Sequence, residues 1–262
     1  MFRVWFLGRS GRTAATAVMA LAVAAPAARA ATIGDGAFND TNWSITKFAN
    51  LGSNVSGSQV TIGGNPGDYR QVIDSVASAS RADPNSKLVG VNIYLPGVYD
   101  PATHGALGAI DFAMDTICAA PACYGAGQGA GFAVAQGGNF YINAQFDTGL
   151  AGSGWIARAY TLGAADFSLV DLNSVSDTDP SHHPDFSVNG APMQFGFVTL
   201  NSAVDTGYYS GYSVASGYDN WSTNVPIPGG GGVPEPATWA VMLMGFGGLG
   251  AALRRRSAAC AG

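Results

Sequence analysis

Between residues 31 and 225 the apolar residues recur in twos, and no stretch holds the 3.6-residue period of an amphipathic helix for three turns. A chain patterned this way has to build its core from strands. The clearest run is Lys87 to Leu95, where Val89, Val91 and Ile93 alternate with Leu88, Gly90, Asn92 and Tyr94. Shorter β-like runs occupy Asn42 to Phe48, Gln59 to Ile62, Tyr69 to Ile73, Ala109 to Ile117 and Phe132 to Gln136. Others are Asn139 to Phe146, Trp155 to Leu162, Phe167 to Leu172, Met193 to Thr199, Tyr208 to Ser213 and Asn220 to Val225. Gly34-Asp35-Gly36, Gly63-Gly64-Asn65-Pro66-Gly67 and the two-residue Gly137-Gly138 supply turn chemistry between them. About ten to twelve short strands so separated predict an all-β fold, an antiparallel β-sandwich forming one domain over 31–225.

Charge narrows the function. Seven of the 12 basic residues and the single glutamate lie in the two terminal segments, so residues 31–225 carry 5 basic residues against 16 aspartates. That surface repels phosphate backbones, which argues against nucleic-acid binding. The loss of Glu and of nearly all Lys also removes strong helix formers.

The two ends read as addresses. Arg3, Arg9 and Arg12 precede an alanine-rich apolar run from Ala14 to Ala25, and Ala28-Arg29-Ala30 gives the small-x-small pattern before a cut. A signal peptide over 1–30, starting helically, is expected, with the mature chain beginning at Ala31; the competing reading is an uncleaved anchor. Pro226 to Pro234, with four consecutive glycines, reads as a flexible linker. Beyond it, Pro236 suits the first position of a helix and Glu235 its positive end. Residues 238–253 carry no charge before Arg254-Arg255-Arg256. The expectation is a C-terminal transmembrane helix with Trp239 at one interface and the arginines at the other. About fifteen apolar residues at ~1.5 Å each span roughly 22 Å, short of the ~30 Å hydrocarbon core, so snorkelling and local thinning must help. The positive-inside rule leaves both arginine clusters in the cytoplasm and everything between them outside.

Val233-Pro234-Glu235-Pro236, then Trp239-Ala240, a glycine-rich apolar run and Arg254 to Arg256 resemble the PEP-CTERM sorting signal in its PEPxxWA variant, over 233–256. The resemblance implies a partner, an exosortase-type membrane protease or transpeptidase, which cuts near Pro-Glu-Pro. It also implies a protein that faces the periplasm from the membrane before processing and then belongs to the envelope or the extracellular polysaccharide. The alternative is an ordinary C-terminal anchor. Ser257 to Gly262, after the arginines, departs from the pattern. A second resemblance is carried by Gly36-Ala37-Phe38 with Trp43, the Gly63 to Gly67 turn, and Gly217-Tyr218-Asp219-Asn220-Trp221-Ser222. These are similar to jelly-roll carbohydrate-binding and concanavalin-like modules, and they imply a jelly-roll-like sandwich.

Candidate chemistry is sparse. Cys118 and Cys123 can close a local disulfide after export, or remain two free thiols; Cys260 lies beyond the arginines. Asp35 and Asp219 stand where calcium-binding jelly rolls, by resemblance, hold a structural ion; no other cofactor is implied. Asp177, Asp179, His182, His183 and Asp185 crowd one loop, as metal ligands or as a polar surface. Asp111 and Asp115 share a strand face but stand about 13 Å apart, too wide for the ~6.5–9.5 Å of an inverting glycosidase. Trp43, Trp155, Trp221, Tyr208, Tyr209, Tyr212 and Tyr218 can stack on sugar rings or fill a core. The leading expectation is therefore a non-enzymatic, sorted envelope protein with a structural or adhesive role. A glycan-binding module is the alternative, and a polysaccharide-active enzyme a distant third.

Overall fold

A computed structural model describes residues 29–119, 123, 127–174, 176–204 and 211–227. Within them the strands are β1 (Arg29–Asp35), β2 (Trp43–Ala49), β3 (Asn54–Gly64), β4 (Gly67–Val76), β5 (Asn85–Tyr99), β6 (Ile110–Cys118) and β7 (Gly129–Gln136). They continue with β8 (Asn139–Asp147), β9 (Ile156–Leu162), β10 (Ser168–Val170), β11 (Thr178–Asp179), β12 (Met193–Val204) and β13 (Tyr212–Ile227). Helix among the described residues amounts to one turn, α1 (Pro101–His104), and two 3-10 turns. None is long and apolar enough to cross a membrane. The expected signal segment up to residue 28 and the expected span at 238–253 lie outside the described residues.

All pairings are antiparallel, and they form two sheets. Sheet A runs β3-β4-β13-β6-β9, with β1 on the later half of β13; sheet B runs β11-β10-β8-β7-β12-β5-β2. The β7–β8 hairpin turns through Gly137 and Gly138 at φ 59° and 83°, the conformation that two-residue loop demands. Three strands differ from expectation, β11 because it lies inside the Asp177 to Asp185 stretch read as one loop. β1 pairs where the sequence suggested only a turn, and the two runs around Tyr212 and Val225 are one strand.

The reason for that merger also decides the aromatics. A bulge between Asp219 and Ser222, with Asn220 at φ 50°, shifts the alternation of β13 by one residue. Tyr218 and Trp221 consequently both point inward and are buried, at 0% and 1% exposure. Trp43 joins them: its ring lies 5.2 Å from Trp221, 5.4 Å from Phe197 and 5.5 Å from Phe38. These three candidates for sugar stacking are core residues. Burial of large rings in edge and offset contact is what holds the sheets face to face.

Two ionisable side chains share that interior. Arg70 donates from Nη1 to Asp40 at 3.0 Å and from Nε to Asn92 at 3.2 Å, with its guanidinium 5.7 Å from the Trp43 centroid. Asp74 reaches from β4 to β12, accepting from Thr199 Oγ1 at 3.2 Å and from Asn201 Nδ2 at 2.7 Å. A smaller apolar cluster of Val89, Val91, Ala133, Ile142 and Val198 occupies the opposite face of sheet B, with Phe48, Phe140 and Leu172 packed on it.

Candidate functional site

The outer face of sheet A is built in rows by its register. Thr32, Asn224, Asp111 and Thr161 lie side by side on β1, β13, β6 and β9. Thr32 donates to Asn224 at 2.6 Å and Thr161 to Asp111 at 2.7 Å, which makes an exposed polar ladder across four strands. The next row outward is Gly34, Ser222, Ala113 and Ala159, all small. Beyond it Asp115 stands beside Ala157 on β9, and its Oδ2 accepts from Asn220 Nδ2 at 2.7 Å and Asn65 Nδ2 at 3.0 Å.

An aromatic pair closes this face. Tyr69 and Trp155 meet edge to face with centroids 5.5 Å apart, and Trp155 Nε1 donates to the Gly63 carbonyl at 3.2 Å. Gly217 makes the arrangement possible. A Cβ there would lie 2.8 Å from Ile117, 2.9 Å from Trp155 and 3.0 Å from Tyr69, so only glycine lets both rings rest on the sheet. Trp155 is thus the one expected tryptophan among those on residues 31–225 that keeps a partly exposed ring. Tyr69, its partner, escaped the sequence reading; its place beside the Gly63 to Gly67 turn was the available signal.

Asp35 and Asp219, the expected calcium ligands, are engaged with the protein. Asp35 Oδ1 accepts from the Ala37 and Phe38 amides, both at 2.9 Å, and Oδ2 from Trp43 Nε1 at 2.8 Å. Asp219 accepts from the Asn65 and Asn220 amides; burial pushes its carboxyl up while these bonds pull it down. In the crowded loop, Asp179 pairs with His182 Nδ1 at 2.7 Å and is held down to about 2, chiefly by hydrogen bonds from Ser181. Asp177 pairs with Lys87, and His183 Nδ1 with the Phe167 carbonyl. Among the described residues no group of three or more His, Cys, Asp or Glu could hold a metal ion.

Other expected positions fall elsewhere. Cys118, at the end of β6, is bonded to Cys123 with Cα atoms 5.3 Å apart. Tyr212 is half-buried and donates to the Ser202 carbonyl at 2.9 Å. Tyr208, Tyr209, the cut-site Ala28 and the whole tail from Val233 to Arg256 lie outside the described residues. Ala30 and Ala31 belong to β1, opposite Pro226 and Val225. A depression of about 340 Å³ on the outer face of sheet B is lined by Ser44, Ile93, Ala135, Asn139, Phe140 and Gln194.

Fold and termini define the class: an antiparallel two-sheet sandwich followed by a carboxyl-terminal tail. Residues 232–256 of that tail match the PEP-CTERM protein-sorting motif, so the chain carries this sorting signal. No curated protein matches the chain. Among solved structures, the family 11 carbohydrate-binding module of a cellulosomal cellulase of Clostridium thermocellum is similar at 11% identity and TM-score 0.39, over 76% of this chain and 96% of that one. The Clostridium thermocellum module in complex with a β-1,3-1,4-mixed-linked tetrasaccharide gives 12% and 0.40, over 75% and 96%. A xylan-binding domain of Paenibacillus barcinonensis gives 9% and 0.35, over 78% and 99%. Overlaps this loose carry no weight beyond themselves, and the two-sheet description stands on the strand pairing.

Proposed function

We propose that this chain is exported, held at the membrane by its carboxyl-terminal segment, and processed there by an exosortase. The sandwich then serves a structural or adhesive role in the envelope or the extracellular polysaccharide, without catalysing a reaction. The observation that carries this reading is the sorting motif at 232–256. The register of the body supports it: Arg29 lies opposite Ile227, so both ends of the domain leave side by side. A chain tethered through both ends can therefore fold without threading either one. Jelly-roll-like winding of the two sheets belongs to the same proposal.

The test is deletion of residues 233–256, and separately Glu235→Ala, in a host that has an exosortase. Both variants should accumulate unprocessed or mislocalised, while the parent chain is shortened and reaches the envelope or medium. Identical size and location for all three would overturn the proposal. A glycan-binding role is the second reading, favoured by the partly exposed Tyr69–Trp155 pair beside Asp115. An enzymatic role has less support, because Asp111 and Asp115 are separated along one strand by about 13 Å.

A further inference from the structure

We propose that the outer face of sheet A binds a linear saccharide bearing free amino groups, laid across the strands between the Thr32–Asn224–Asp111–Thr161 ladder and the Tyr69–Trp155 pair. The small row Gly34, Ser222, Ala113 and Ala159 is the floor. The two polar rows, at Asp111 and Asp115, are four residues apart on β6 and so about 13 Å apart, and the four strands extend the floor by about 14 Å. That is a shallow, open trough, wide enough for one extended chain and with no depth to enclose a small molecule.

The chemistry of the walls selects the occupant. Partly exposed Trp155 and Tyr69 offer apolar ring surface, which suits the C–H faces of pyranose rings. Hydroxyls of Thr161 and Thr32 and the amides of Asn224, Asn65 and Asn220 supply donors and acceptors at the margins. The charge is one-sided. Asp111 and Asp115 both face outward here; Asp111 accepts from Thr161 on Oδ1 and Asp115 from Asn65 and Asn220 on Oδ2, so the second oxygen of each is turned to a ligand. None of the five basic residues of the body joins them. Arg70 is interior, Lys47 and Lys87 belong to sheet B, Arg81 sits between β4 and β5, and Arg158 leans over Phe146 on the inward side of β9. A uronate polymer would meet repulsion, and an ammonium-bearing one finds complementary carboxylates. This inference uses the export reading only to place the face outside the cell.

The experiment titrates the full-length chain in detergent with glucosamine oligomers, their fully N-acetylated counterparts and galacturonate oligomers, by calorimetry and by Trp fluorescence. Glucosamine oligomers should bind at least tenfold more tightly than either of the others, and less tightly in high salt. Trp155→Ala and the near-isosteric Asp115→Asn should each lower that affinity at least tenfold with the melting temperature of Asp115→Asn unchanged. Equal binding of the acetylated oligomer, binding indifferent to both substitutions, or no binding at all would overturn the proposal. None of these outcomes bears on whether the tail is cut, which the deletion variants decide separately.

Discussion

Asp74 is a carboxyl placed between two sheets with hydroxyl and amide donors but no cation. Burial pushes it up to about 7 against an ordinary value of 3.8, while the Asn201 and Thr199 bonds pull the other way. A folded-state value above the unfolded one means that the fold keeps its proton while the unfolded chain loses it. Stability therefore falls as pH rises from about 4 to 7, by up to about 4 kcal/mol. Asp74→Asn should flatten this slope and raise stability at neutral pH, read by chemical denaturation at pH 4.5, 6 and 7.5; an unchanged slope would contradict the assignment. Asp35 is a structural acceptor, since its carboxylate satisfies two amides and the Trp43 indole. Asp35→Ala should cost about 2 to 3 kcal/mol, because a buried donor loses its partner. Neither role was legible in the sequence. In β4 the inward set Arg70, Val72, Asp74, Val76 is no more apolar than the outward set Tyr69, Gln71, Ile73, so alternation alone does not say which face is core.

The β10–β11 hairpin shows how an element can be held by one side chain. Lys87, on β5, ion-pairs with Asp177 at 2.7 Å and donates to the Leu172 and Ser174 carbonyls at 3.3 Å and 2.5 Å. Leu172 and Val170 thereby stay packed on the outer apolar cluster of sheet B. Lys87→Ala should loosen residues 168–179 without melting the sandwich, visible as faster amide exchange confined to that segment; global loss of protection would point to a core role instead. Most strand positions were legible, because Val89, Val91 and Ile93 or Phe132 to Phe146 alternate around clear turn residues. The hidden ones share a cause. β1 is identified by its partner β13 nearly two hundred residues later, and the β13 bulge by a single positive φ at Asn220, and neither leaves a local periodic signal. Gly217→Ala should likewise disturb only its neighbours Ile117, Tyr69 and Trp155, shifting the Trp155 emission while leaving the Trp43–Trp221 contact intact.

At the scale of the molecule, an acidic sandwich is joined to two basic, apolar ends, and its first and last strands pair so that those ends emerge together. The sorting tail was readable because its signal is local: Pro-Glu-Pro, Trp-Ala, an uncharged run and three arginines in order. The aromatic face of sheet A was not, because Tyr69, Trp155 and Gly217 come together only through strand order. The most direct measurement is the intact mass and terminal sequence of the mature protein recovered from envelope and medium. Processing at both addresses predicts an amino terminus at Ala31 and a carboxyl terminus beside Pro234 to Pro236, with Arg254 to Gly262 gone. A mature species that still ends at Gly262, or one confined to the cytoplasm, would contradict the account.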